Sequence, residues 1–174
     1  IQAGPCFLPS IIEKTPTPVL IPAAIDQDPY WRITRDIATK LGFYKPAQIH
    51  SKFLPSLSRD SKMSSSRPET AILTTDEPEI VEKKVLSSFT GGQATISLQK
   101  KLGGNADICP VYDYLKYFFD DEKESLERYL RCKSGNLLCG ECKSDLANNT
   151  RDFIIEFQRK RDEAKDKVND FMFE

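Results

Sequence analysis

The seven residues Val19 to Ile25, reading VLIPAAI, are apolar at every position, so an extended segment there has two faces seeking cover. That is the pattern of a strand inside a parallel sheet rather than a strand with one wet face. Asp28-Pro29 follows at once, with Asp28 expected as a helix cap and Pro29 as the first helical residue. Ile33, Ile37 and Leu41 then recur every four residues as that helix's expected buried face, and Gly42 stands where a C-terminal cap belongs. Strand, turn and helix in direct succession predict a doubly wound α/β unit. The run is far too short to span a bilayer and is broken by Pro22, so no membrane segment is expected.

Later segments change character. Ser51 to Pro68 is rich in Ser, Pro and Lys, followed by the short apolar run Ala71 to Leu73 and a turn at Asp76 to Pro78. Beyond it, Glu79 to Ser87, Pro110 to Phe119, Lys123 to Arg131 and Asp152 to Met172 carry apolar residues at helical spacing. The expected organisation is therefore an α/β portion over residues 1–76 and an all-α portion over 77–174. The α/β portion offers too few strands to complete a sheet. Ile1 is preceded by neither an initiator Met nor a charged leader, which reads as an internal start without a signal peptide.

Two stretches carry chemistry. Lys62-Met63-Ser64-Ser65-Ser66 sets a cation beside three hydroxyls, flanked by Lys52, Arg59 and Arg67, a combination able to grip phosphate oxygens. On those five residues alone a flexible serine-rich linker is the simpler reading. Asp26, Gln27 and Asp28 lie at the carboxyl end of the expected strand, where open α/β sheets bind ligands. Helix capping by Asp28 accounts for one of the three and leaves Gln27 without a role.

Cysteine supplies a third constellation. Cys109, Cys132, Cys139 and Cys142 follow the spacing C-x22-C-x6-C-x2-C, and their crowding suits a metal site better than a disulfide framework. Four thiolates can hold a 4Fe-4S cluster or a zinc ion, and buried free thiols are the plain alternative. Cys6 stands apart and reads as a small buried hydrophobe. Basic residues (25) and acidic residues (26) balance, so any contact with a polyanion has to be local. Lys116, Arg128, Arg131 and Lys133 form one candidate basic patch, while the mixed charges of RKRDEAKDK read as a solvated helix face.

Taken in order, IQAGP, AIDQDPYWRITRDIA, IHSKFLPSL, KMSSS, FTGG, LGGNADI and SGNLLCGECK resemble the tryptophanyl-tRNA synthetases of archaeal and eukaryotic type. These are class I enzymes with a Rossmann-like catalytic portion and an all-α anticodon-binding domain. The resemblance implies that Gln2 and Gln27 line a tryptophan pocket and that Asp26 and Gln27 flank the aminoacyl-adenylate. Lys62, Met63, Ser64, Ser65 and Ser66 would hold ATP, with Lys62 as the catalytic charge. Ser65 replaces a second lysine of the general class I pattern, which leaves more of the charge stabilisation to Lys62 and Mg2+. The first ATP motif of the family, the HIGH-like signature, is not found, so the chain by itself is expected not to aminoacylate.

The resemblance further implies tryptophan, ATP and tRNA(Trp) as partners, a homodimer, a cytoplasmic setting, and a 4Fe-4S cluster on Cys109, Cys132, Cys139 and Cys142 in preference to zinc. Two other functions are compatible with parts of the sequence: a tyrosine-specific class I synthetase and a non-catalytic RNA-binding module derived from a synthetase. His50 is expected to be a hydrogen-bonded residue at a strand end rather than a general base.

Overall fold

The computed structural model describes residues 2–58, 63 and 66–172. It contains two compact units, Ile1–Phe53 and Leu54–Glu174. In the first, helix α1 (Gly4–Ile12) precedes strand β1 (Leu20–Ala24), helix α2 (Asp28–Ala38) and strand β2 (Ala47–Ser51). The strands pair in parallel, from Leu20 opposite Ala47 to Ala24 opposite Ser51, with α2 in the crossover that a parallel pair requires.

One face of the pair is covered. Ile21 and Ala23 pack against a cluster of Cys6, Phe7, Trp31 and Ala38, and the Phe7 and Phe43 rings stack with centroids 5.1 Å apart. Leu20 and Ile49 are more than half exposed, so burial of the strand on both faces is not met within the described residues. Helix α2 likewise buries Trp31, Thr34 and Ala38. Ile33 and Leu41 are exposed, because Cys6 and Phe7 of α1 meet the neighbouring stripe of the helix. Gly42 does terminate the segment in the left-handed conformation, at φ 78°.

The second unit is helical: α3 (Pro78–Ser87), α4 (Ile96–Leu102), α5 (Pro110–Phe118), α6 (Glu122–Lys133) and α7 (Cys139–Lys165). Its core joins Leu57 to Val85, Val111, Tyr114, Leu115, Leu146 and Ala147. Helix α6 begins with a reciprocal cap: the Glu124 N–H donates to Asp121 at 2.8 Å, and the Asp121 N–H donates to Glu124 at 3.0 Å. Helix α7 is longer than its apolar spacing suggests and buries Leu146, Ala147, Thr150 and Ile154. Phe153, Val168 and Phe171, which carry that helical spacing, are exposed.

Two glycine segments are explained by close approach. A side chain at Gly91 would place its Cβ 1.8 Å from the Asn105 carbonyl oxygen, and the Asn105 N–H donates to Gly91 O at 2.7 Å. Gly103 adopts φ 73° and packs against the Lys133 carbonyl. FTGG and LGGN thus run alongside one another because Gly91 carries no Cβ where its backbone meets that of Asn105.

Candidate functional site

Asp26 and Gln27 fall in a single 3-10 turn, Ile25–Gln27, at the carboxyl end of β1. Gln27 faces Gln2: the Gln2 amide donates to Gln27 Oε1 at 2.6 Å. Three of the sequence-derived ligand residues therefore share one end of the first unit, at the position where α/β sheets bind ligands. Asp28 is not the cap that its position suggested. It occupies the first turn of α2, bonds Arg32 Nε at 2.6 Å and lies 3.8 Å from His50 Nε2 on β2. A carboxylate in a first helical turn is favoured by the helix dipole.

Of the KMSSS segment, Met63 and Ser66 are described, while Lys62, Ser64 and Ser65 lie outside the described residues. The segment's flanks are anchored in the second unit: Leu57 N–H donates to Thr70 O at 2.8 Å and Phe89 N–H to Leu57 O at 2.8 Å. Met63 is half-buried, with its Sδ 3.0 Å from the hydroxyl of Tyr114, which also donates to Pro55 O at 3.0 Å. Burial, helped by the charge of Asp113, pushes the Tyr114 phenol up to about 12, so it stays a donor. Sequence reasoning missed Tyr114 because its partners are far away in the chain.

The cysteine expectation is overturned. Cys109, Cys132, Cys139 and Cys142 do line a common cavity, yet that cavity measures only about 20 Å³. Such a space takes one water, not a four-iron cluster. Among the described residues no group of three or more His, Cys, Asp or Glu is arranged to hold a metal ion. Burial raises the thiols of Cys109 and Cys132 and takes Cys142 to about 11. The 4Fe-4S cluster is therefore contradicted and nothing favours zinc; the CGEC segment is the first turn of α7. Cys6 is 2% exposed and sits in the first unit's apolar cluster, as its sequence context suggested.

The candidate basic patch is also largely neutralised. Arg128 bonds Asp120 at 2.8 Å and Asp145 at 2.9 Å, and Lys133 bonds Asp107 at 2.6 Å. Arg131 lies 4.0 Å from Glu127. These basic side chains answer local acids on a surface that also carries Glu124 and Glu141.

Comparison with known proteins assigns the class. The model for "tRNA synthetases class I (W and Y)" matches residues 14–154. The chain belongs to this family. Within it, the relatives are tryptophan-specific by name: a tryptophan--tRNA ligase of Pyrobaculum calidifontis is 49% identical over 97% of this chain and 45% of its own length. One from Thermococcus sibiricus is 51% identical over 99% of this chain and 44% of its own length. The tryptophanyl-tRNA synthetase structure from Aeropyrum pernix K1 superposes with a TM-score of 0.79 at 38% identity, covering 84% of this chain and 41% of that one. The chain is thus of the archaeal tryptophanyl-tRNA synthetase type, and it spans about half the length of the curated relatives it matches. A tyrosyl-tRNA synthetase structure, at 22% identity and TM-score 0.64, shares the fold alone. No helix among the described residues is long and apolar enough to cross a membrane.

Proposed function

We propose that this chain is part of a synthetase that activates tryptophan with ATP and transfers it to tRNA(Trp). The observation that supports it best is the Gln2–Gln27 pair, 2.6 Å apart at the carboxyl end of β1, beside Asp26. Two neutral amides can meet an indole N–H and the polar head of an amino acid without forcing an uncompensated charge into the pocket. On this reading residues 1–76 belong to the catalytic portion and 77–174 to the helical anticodon-binding portion.

In the reaction, the tryptophan carboxylate attacks the α-phosphorus of ATP in line. A P–O bond forms to the carboxylate as the bond to the β-phosphate oxygen breaks, giving tryptophanyl-adenylate and pyrophosphate. No protein nucleophile is required, so positioning and charge dominate. Gln2, Asp26 and Gln27 orient the amino acid and its adenylate. Lys62 sets a positive charge against the triphosphate and the departing pyrophosphate, Met63 bounds the nucleotide side of the loop, and Ser64, Ser65 and Ser66 offer hydroxyls to phosphate. Mg2+, when bound to the nucleotide, adds neutralisation of the same oxygens. We assign the whole protein to the cytoplasm and to a homodimeric state on family grounds.

The test is tryptophan-dependent exchange between ATP and pyrophosphate on the whole synthetase. Exchange with tryptophan and its loss in Lys62→Ala are expected. Exchange supported by tyrosine alone would assign the other specificity of the family, and no exchange with either amino acid would leave an RNA-binding role.

A further inference from the structure

Cys139 and Cys142 open helix α7 one turn apart, and both line the small cavity they share with Cys109 and Cys132. Their side chains therefore turn to the same side of the helix. Residues three apart on an α-helix have Cα atoms about 5 Å apart, inside the range that a disulfide spans. A cavity of about 20 Å³ is too small for a cluster, but a sulfur–sulfur bond asks for less room than two thiols in contact. Cys142 is half-buried, with Arg128 Nη1 3.9 Å from its Sγ. Cys139 differs in access: it also lines an outer groove of about 370 Å³ with Gln93, Thr95, Ile96 and Glu141. On the inner side it packs against Gly92, where an added Cβ would come within 2.4 Å of its Sγ.

We infer that Cys139 and Cys142 form a reversible dithiol–disulfide pair, oxidised by a small disulfide that enters through the outer groove. The Cys139 sulfur, as thiolate, attacks one sulfur of the incoming disulfide, forming a mixed disulfide and releasing one thiol. Cys142 then attacks Cys139 Sγ, which forms the internal bond, breaks the mixed one and releases the second thiol. The two cysteine protons leave with the two released thiols, so the incoming disulfide gains the two electrons that the pair loses. A Cys-x-x-Cys pair at a helix start suits this sequence of steps, because the second thiol is held one turn from the first. Cys6, buried in the other unit, has no cysteine beside it in its cluster and stays reduced. The inference is independent of the function proposed above.

The test uses the full chain, reduced, then equilibrated with glutathione disulfide, quenched in acid, alkylated and digested with trypsin. Both cysteines fall in one tryptic peptide, residues 134–143. That peptide is expected to appear without alkylation and two hydrogens lighter than its dithiol form, while Cys6, Cys109 and Cys132 are alkylated. Excess dithiothreitol is expected to restore alkylation of both. Cys142→Ser is expected to retain glutathione on Cys139, and Cys139→Ser to leave Cys142 open to alkylation. The native chain carries the decisive reading, so a variant that fails to fold does not decide the matter. A fully alkylated 134–143 peptide, or glutathione that persists on Cys139 of the native chain, overturns the proposal. A bond from either cysteine to Cys109 or Cys132 overturns the pairing and with it the inference.

Discussion

The side-chain amide of Gln2 reaches Gln27 Oε1 across 2.6 Å, joining residues 25 apart in sequence at the open end of a parallel strand pair. Each amide fixes the rotamer of the other, so truncating one loosens both. We expect Gln27→Ala in the whole synthetase to raise KM for tryptophan by roughly 10-fold, the value of one hydrogen bond, with a smaller change in kcat. Amino acid titrations in the pyrophosphate exchange assay read the two constants separately. An unchanged KM would remove Gln27 from the tryptophan pocket.

Tyr114 links Met63 to the helical core, and its phenol is raised to about 12 against an ordinary value of 10.0. The neutral form is the one that the fold favours. Its contribution is therefore fully present below about pH 10 and is lost as pH rises from there through about 12. The difference in urea stability between the native chain and Tyr114→Phe should stay near 1 kcal/mol at about pH 7 to 9 and shrink above about pH 10. A difference independent of pH across that window would show that the phenol is not desolvated.

Arg128 is 18% exposed at its side chain and holds Asp120, itself 6% exposed, together with Asp145. Removing the cation strands a carboxylate that has little water. Arg128→Ala should cost about 3 kcal/mol in chemical unfolding, at the low end for a buried pair because part of the group meets solvent. Arg128→Lys should recover only part of it, since a single ammonium cannot fork between two carboxylates.

A Cβ at position 91 would sit 1.8 Å from the Asn105 carbonyl, a backbone atom that cannot swing aside. Gly91→Ala is expected to destabilise by about 3 kcal/mol or more, seen as a drop in melting temperature. Gly140→Ala is the internal control, because a Cβ added there would meet nothing within 4 Å. Equal effects at both sites would mean that the FTGG and LGGN backbones do not approach one another in solution.

The strand, the turn and the helix after it were legible because VLIPAAI, Asp28-Pro29 and Gly42 act through local rules: apolar continuity, the ring of proline and the left-handed freedom of glycine. Motif order was legible too, and the family comparison agrees with it. The buried face of α2 was not. Ile33-Ile37-Leu41 and Trp31-Thr34-Ala38 are neighbouring stripes of one helix, and only the arrival of Cys6 and Phe7 selects the second.

Cysteine spacing likewise states which thiols can meet, not what state they hold. Their common cavity is small, and desolvation, a property of the packed environment, raises three of the four thiols. Met63 meets Tyr114 across 51 residues and Arg128 meets Asp145 across 17. What the chain order determined by itself was the set of local elements and the family motifs, because backbone preferences act over a few residues. The tertiary structure alone decided which faces were buried and which charges were cancelled, because burial and pairing depend on groups that meet only when distant segments pack.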